Sequence, residues 1–182
     1  MQLIILDRDG VINEDSDAYI KSPEEWIPIA GSLEAIAKLN ATGYKVAIAT
    51  NQSGIARGYY NLATLEAMHQ KMQYLLAQYN GKIDYIAFCP HKPDDHCQCR
   101  KPQATMLIEI MQHFNISTQQ TLFVGDTLSD MKAAQYARIP FVLVQTGKGN
   151  KTLKTGGINQ ETTPVYNNLF AYVAHLLQTH KH

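Results

Sequence analysis

Cysteine is scarce in this chain: three in 182 residues, all of them between Cys89 and Cys99. An odd count with Cys97 and Cys99 almost adjacent offers no disulfide framework, and it points to reduced thiols in a cytoplasmic protein. An excess of charge is lacking too. Sixteen acidic side chains balance sixteen basic ones, which removes the broad basic face that a nucleic-acid partner requires. No run approaches the roughly eighteen consecutive apolar residues of a membrane span. The first apolar run, QLIILD, has neither the length nor the basic start of a secretory leader. There is no internal repeat and no compositional break, so residues 1–182 are expected to form a single domain, acting as a monomer. The one tryptophan, Trp26, reads as core, and His175, His180 and His182 read as solvated because their spacing suits no metal.

What is there is alternation. Residues 2–7, 44–50, 83–89, 121–126 and 140–144 are short, nearly continuous apolar runs, the pattern of strands buried on both faces. Helical patterns separate them. One opens at a Ser32 cap and stops at Gly43; another, over 63–79, places Leu65, Met68, Met72, Leu75 and Tyr79 on one face. Others cover 103–114, 129–139 and 167–178, while 146–163 reads as a loose connector. Strands alternating with helices make an α/β fold: an open, doubly wound, Rossmann-like parallel sheet.

In such a sheet, ligands bind beyond the carboxyl ends of the strands. The strand ends here carry Asp7-Arg8-Asp9-Gly10, then Thr50-Asn51-Gln52-Ser53-Gly54, then the cysteine stretch with Arg100 and Lys101, then Gly125-Asp126 and Asp130. Carboxylates converging there repel unless a hard cation joins them, and oxygen ligands suit Mg²⁺. An aspartate can act as a nucleophile, and a second one two residues on can protonate a leaving oxygen. Thr50 with neighbouring N–H groups can hold phosphoryl oxygens, and Lys101 can neutralise their charge. Cys89, His91, Cys97 and Cys99 form C-x-H-x5-C-x-C, the donor set of a closed, structural Zn²⁺ site. That loop, 89–101, delivers Arg100 and Lys101 to the strand ends. His96, beside Cys97, is awkwardly placed to be the ligand instead.

The stretches DRDGVIN, ATNQSG, RKP and GDTLSD resemble, in order, the four motifs of the haloacid dehalogenase (HAD) superfamily of phosphatases. This resemblance implies Asp7 as nucleophile, Asp9 as general acid and then base, and Thr50 and Lys101 as phosphoryl-binding groups. It further implies Mg²⁺ on the Asp7 carboxylate, the Asp9 backbone carbonyl and Asp126, with Asp130 beside it. The segments LDRDGVIN, TNQSGIARG, CPH, CRKP and GDTLSDMKAA are similar, more narrowly, to the D-glycero-D-manno-heptose-1,7-bisphosphate 7-phosphatases of bacterial heptose and lipopolysaccharide synthesis. Histidinol-phosphate phosphatases share much of the pattern. No stretch is long enough for a large cap domain. The substrate implied is a small-molecule sugar phosphate, contacted by Asp15, Asn51, Ser53 and Arg100 as well as by the core motifs. Arg57 and residues Ser16, Asp17 and Tyr19 of the loop after the first motif are further candidates. The rival from another class is a non-catalytic zinc module that binds a partner.

Overall fold

Strands that are apolar on both faces need helices on both sides, and the chain supplies them in two layers. A computed structural model describes residues 2–179, so His180 and His182 lie outside the described residues. The strands are β1 (Leu3–Leu6), β2 (Lys45–Asn51), β3 (Tyr85–Cys89), β4 (Thr121–Gly125), β5 (Phe141–Val144) and β6 (Val165–Tyr166). They form one parallel sheet in the order β3-β2-β1-β4-β5-β6. The helices are α1 (Ser32–Ala41), α2 (Leu62–Ala77), α3 (Thr105–Phe114), α4 (Leu128–Ala137), α5 (Gly149–Lys154) and α6 (Leu169–Thr179).

Alternation along β1 decides which layer each residue feeds. Ile4 and Leu6 pack with α1, α2 and α6, whereas Leu3 and Ile5 pack with α3 and α4. All four are essentially inaccessible. Each such aliphatic side chain contributes about 1.5–3 kcal/mol through burial, so β1 is anchored from both sides. The chain winds outward from β1 to β3, then crosses back to β4 on the other side of β1. The reversal of strand order therefore falls between β1 and β4, where Asp7 and Asp126 emerge.

Four local expectations change. Ser32 does not cap α1: Gly31 stands at the N-cap, and the Ser32 hydroxyl donates to the Val11 carbonyl at 2.8 Å. The buried face of α2 is Leu65, Met68, Met72 and Leu76, with Tyr79 half exposed beyond the helix end. The connector over 146–163 contains α5, and β6 follows it as a sixth strand. The strand and helix ends also move by one or two residues. Trp26 is fully buried in the core, as expected.

Candidate active site

A tight turn carries the chain away from β1. Gly10 takes φ 84°, and a side chain there would collide with the Asp126 carboxylate and approach Gly147 Cα to 3.0 Å. Only glycine allows both the left-handed turn and that approach. The Thr146 hydroxyl closes the turn by donating to the Gly10 carbonyl at 2.7 Å. The Lys148 N–H donates to Asp126 Oδ2 at 2.7 Å. The start of the supposed connector thus backs this turn, and its Lys148 lines the back wall of a cleft of about 340 Å³.

Asp7, Asp126 and Asp130 each offer an oxygen within 4.8 Å of the others, and all three are buried. Lys101 answers them in part. Its Nζ lies 2.9 Å from Asp7 Oδ1 and 2.8 Å from Asp130 Oδ1, and it donates to the Ala49 carbonyl at 2.7 Å. The contact to Asp130 is an ion pair rather than an aligned hydrogen bond. Fully ionised, three carboxylates against one ammonium would leave two negative charges shielded from water. Burial first, then the charge of Asp130, pushes Asp7 up to about 7 despite Lys101. Burial and the charges of Asp7 and Asp130 push Asp126 well above the carboxylate range. Lys101 moves further up: burial opposes its charge, but Asp130 and Asp7 outweigh that. Asp130 is engaged through its Oδ2, which accepts the Asp126 and Thr127 N–H groups at the start of α4, and its Oδ1 has the charge of Lys101 beside it. Asp126 Oδ1, by contrast, is buried with no hydrogen-bonding partner. A divalent cation fits this deficit of charge and coordination.

Asp7 Oδ1 takes the Arg8 N–H at 2.8 Å as well as Lys101. No donor among the described residues reaches its Oδ2. Asp9 is held differently. Its Oδ1 accepts Arg8 Nε at 3.1 Å, Arg8 Nη2 at 2.8 Å and Asn13 Nδ2 at 2.8 Å, while Oδ2 accepts Gln52 Nε2 at 3.0 Å. Burial opposes ionisation here, yet the Arg8 charge and these hydrogen bonds win and hold Asp9 below the usual range. Arg8 is itself fully buried, with Nη1 3.3 Å from His69 Nε2. Burial and the Arg8 charge push His69 down to about 4, so the neutral ring can accept there, since a guanidinium only donates.

The remaining candidates divide. Asp15, Asn51, Ser53 and Arg100 line the cleft, as do Ser16, Asp17, Tyr19 and Arg57. Asn51 also brackets the Lys101 backbone, accepting its N–H at 3.0 Å and donating to its carbonyl at 3.2 Å. Arg100 Nη1 donates to the His91 carbonyl at 3.3 Å. Thr50 is buried behind the cleft, where its hydroxyl accepts from Gln52 at 2.8 Å.

A family model described as HAD-hydrolase-like matches residues 98–171. The D-glycero-beta-D-manno-heptose-1,7-bisphosphate 7-phosphatase of Pseudomonas putida is 53% identical over 97% of this chain and 100% of its own. That of Neisseria meningitidis serogroup A is 47% identical over 98% of this chain and 96% of its own. The chain belongs to this family. A crystal structure of the D,D-heptose 1,7-bisphosphate phosphatase of B. bronchiseptica, complexed with magnesium and phosphate, superposes with a TM-score of 0.95. It shares 51% identity, over 98% of this chain and 99% of that one.

In this member of the heptose-bisphosphate phosphatase family, Cys89, His91, Cys97 and Cys99 gather at the end of β3. Their donor atoms all lie within 4.8 Å of one another. Cys99 Sγ is 3.0 Å from Cys89 Sγ, 3.6 Å from Cys97 Sγ and 3.3 Å from His91 Nδ1. Bonds of about 2.3 Å to a tetrahedral zinc place sulfurs roughly 3.8 Å apart, so the donor set suits that ion and Cys89 and Cys99 would spread slightly to hold it. His96 stands outside the group. Burial raises the Cys89 and Cys99 thiols, whereas at Cys97 burial is outweighed by backbone N–H donors led by Arg100, which bring the thiol down to about 7, toward the thiolate a metal requires.

Sequence reasoning did not single out Gln52, Tyr60 and Lys148, although all three line the cleft. Lys148 reaches Asp15 Oδ2 at 3.5 Å, tying the loop after β1 to the back wall. A Lys and a Gly in a polar stretch were the only signal for it.

Proposed function

We propose that this chain removes the 7-phosphate of D-glycero-D-manno-heptose 1,7-bisphosphate as a single catalytic domain, leaving heptose 1-phosphate. The observation that carries this is the buried Asp7–Asp126–Asp130 cluster with Lys101, in a chain about half identical to the named relatives along its whole length. Asp7 Oδ2, the oxygen without a donor, attacks phosphorus while Lys101 and the Arg8 N–H hold Oδ1. The new bond is Asp7 oxygen to phosphorus, and the bond to the sugar O7 breaks as Asp9, which must first take up a proton against the pull of Arg8, gives that proton to the leaving oxygen. Asp9 then takes a proton from the water that hydrolyses the aspartyl phosphate. Mg²⁺ held by Asp7, the Asp9 carbonyl and Asp126, with Asp130 behind, would neutralise charge on the transferred group. Thr50 is assigned to the phosphoryl side through Gln52 rather than by direct contact. Zn²⁺ on Cys89, His91, Cys97 and Cys99 would be structural. The setting we assign is the bacterial cytoplasm, in a monomer serving lipopolysaccharide synthesis, with no nucleic-acid or membrane partner. A cleft lined by carboxylates together with Arg57, Arg100, Lys101 and Lys148 supports a small phosphate ester as the substrate.

An exocyclic 7-phosphate enters a slot between strand ends more easily than an anomeric phosphate, which brings the ring with it. The ring and its 1-phosphate then stay outside, where Arg100 can grip phosphate through paired hydrogen bonds, with Asp15 and Ser53 near the sugar. Phosphorus NMR of the product is expected to show heptose 1-phosphate and inorganic phosphate; heptose 7-phosphate would refute the pose. Arg100→Ala is expected to cost about 1.5–3 kcal/mol in kcat/KM for the bisphosphate, and much less for a monophosphate. Faster turnover of histidinol phosphate would favour that substrate instead.

The raised carboxyls set a pH dependence. Folded Asp7 and Asp126 lie above the ordinary value of 3.8, so ionising them costs stability as pH rises from there through about 7. Metal-free protein is therefore expected to lose Tm across that window. Mg²⁺ needs the ionised form, so the Tm gained on adding it should be small at pH 5 and several degrees at pH 8. An equal gain at both values would remove Asp7 and Asp126 as ligands.

A further inference from the structure

We infer that Tyr60 is a positioning residue for the Asp9 carboxyl, acting through the Gln52 amide. The inference rests on the reading of Asp9 as proton donor and deepens it. The two oxygens of Asp9 are unequal. Oδ1 is saturated by two Arg8 donors and Asn13, whereas Oδ2 has only Gln52 Nε2. Oδ2 is therefore the oxygen with a lone pair to spare, and Gln52 sets where it points. In the first step the proton passes from Oδ2 to the leaving oxygen as the phosphorus–oxygen bond gives its electron pair to that oxygen.

An amide can present either end, and its other neighbours decide which. Gln52 Oε1 accepts the Tyr60 hydroxyl at 2.5 Å and Arg8 Nη2 at 3.4 Å. Nε2 donates to Asp9 and also to Thr50 Oγ1 at 2.8 Å. Turned end for end, the amide would set Nε2 against the guanidinium and Oε1 against the carboxylate. Arg8, which can only donate, decides that Oε1 is the end facing it; Tyr60 makes the shorter bond, has no other hydrogen-bonding duty among the described residues, and so fixes where the amide sits. Its ring reaches Gln52 because position 54 is glycine. A Cβ on Gly54 would collide with the Tyr60 ring, and its backbone needs no left-handed conformation, so the glycine is there for room. Tyr60 also packs against the core, and removing the hydroxyl alone leaves that packing in place.

The test uses Mg²⁺-loaded full-length protein, with p-nitrophenyl phosphate as a substrate whose leaving group needs no proton and a primary alkyl phosphate as one that does. Tyr60→Phe is expected to keep its Tm and lower kcat for the alkyl substrate about 10-fold, with little change in KM. The loss for the aryl substrate should be at least several-fold smaller. Gly54→Ala, which displaces the ring without touching the hydroxyl's chemistry, should discriminate in the same direction. Asp9→Asn should discriminate likewise and more strongly. If Asp9→Asn discriminates while Tyr60→Phe and Gly54→Ala slow both substrates equally, or change only KM, the positioning role is wrong and the reading of Asp9 stands. If Asp9→Asn does not discriminate, that reading falls and takes the inference with it.

Discussion

Asp7→Asn is expected to lose turnover on the order of 10⁵-fold while gaining thermal stability. The loss follows from the geometry: Asp7 sits where β1 ends, with Oδ1 fixed by Lys101 and the Arg8 N–H and Oδ2 left to attack. An amide keeps the shape and removes the nucleophile. The gain follows from charge. Burial and Asp130 outweigh Lys101, since the Asp7 carboxyl is pushed up to about 7. Its ionised form therefore costs the metal-free protein stability at pH 8, and the amide of the variant carries no charge to bury. Single-turnover assays and Tm in EDTA check the two halves separately. Turnover within tenfold of the parent would remove Asp7 as nucleophile. A lower Tm in EDTA would show that the Lys101 pair, rather than repulsion, dominates the cluster.

Cys99→Ser is expected to be the most damaging single change in the thiol loop. Cys89 and Cys99 each contact the other three donors, and Cys99 is the one directly followed by Arg100 and Lys101. A serine hydroxyl does not replace a thiolate on zinc. With the set broken, the stretch between His91 and Arg100 is left with a short 3-10 turn at Pro93–Asp95 and a few hydrogen bonds such as that of Arg100 to the His91 carbonyl. Both cations then lose their anchor, so KM should rise as kcat falls, with kcat/KM down about 100-fold. Metal analysis of chelator-free preparations should find about one zinc per parent chain and far less in the variant. A variant with unchanged kinetics would leave the cluster without the role of aiming Arg100 and Lys101.

The sheet could be read from the sequence because β1, β2, β4 and β5 bury both faces, and a run such as LIIL has no other stable place. The strand-end residues could be read for the same reason, since topology brings Asp7 and Asp126 together whatever the loops do. The errors fall where local signals are shared. Tyr79 continues the spacing of α2, but the helix ends at Ala77 and Asn80 turns left-handed at φ 58°. Ser32 looks like a cap, yet its hydroxyl is taken by Val11. Lys148 bonds Asp126 through its backbone N–H, which any residue but proline could supply, so no side chain announces it. Tyr60 depends on empty space at Gly54, and space has no letter in a sequence.

The order β3-β2-β1-β4-β5-β6 has a consequence for synthesis. Chains emerge from the amino end, and β1 can pair with β2 early. Its other edge stays bare until β4, more than a hundred residues later, has left the ribosome. A nascent fragment ending before Thr121 would carry Asp7, Asp9 and the thiol loop, but neither Asp126 nor the wall at 146–148. Such a fragment presents an unpaired, wholly apolar strand edge, the kind of surface that aggregates or recruits a chaperone. The arrangement that places the nucleophile at the centre of the sheet also leaves its strand half open until β4 arrives.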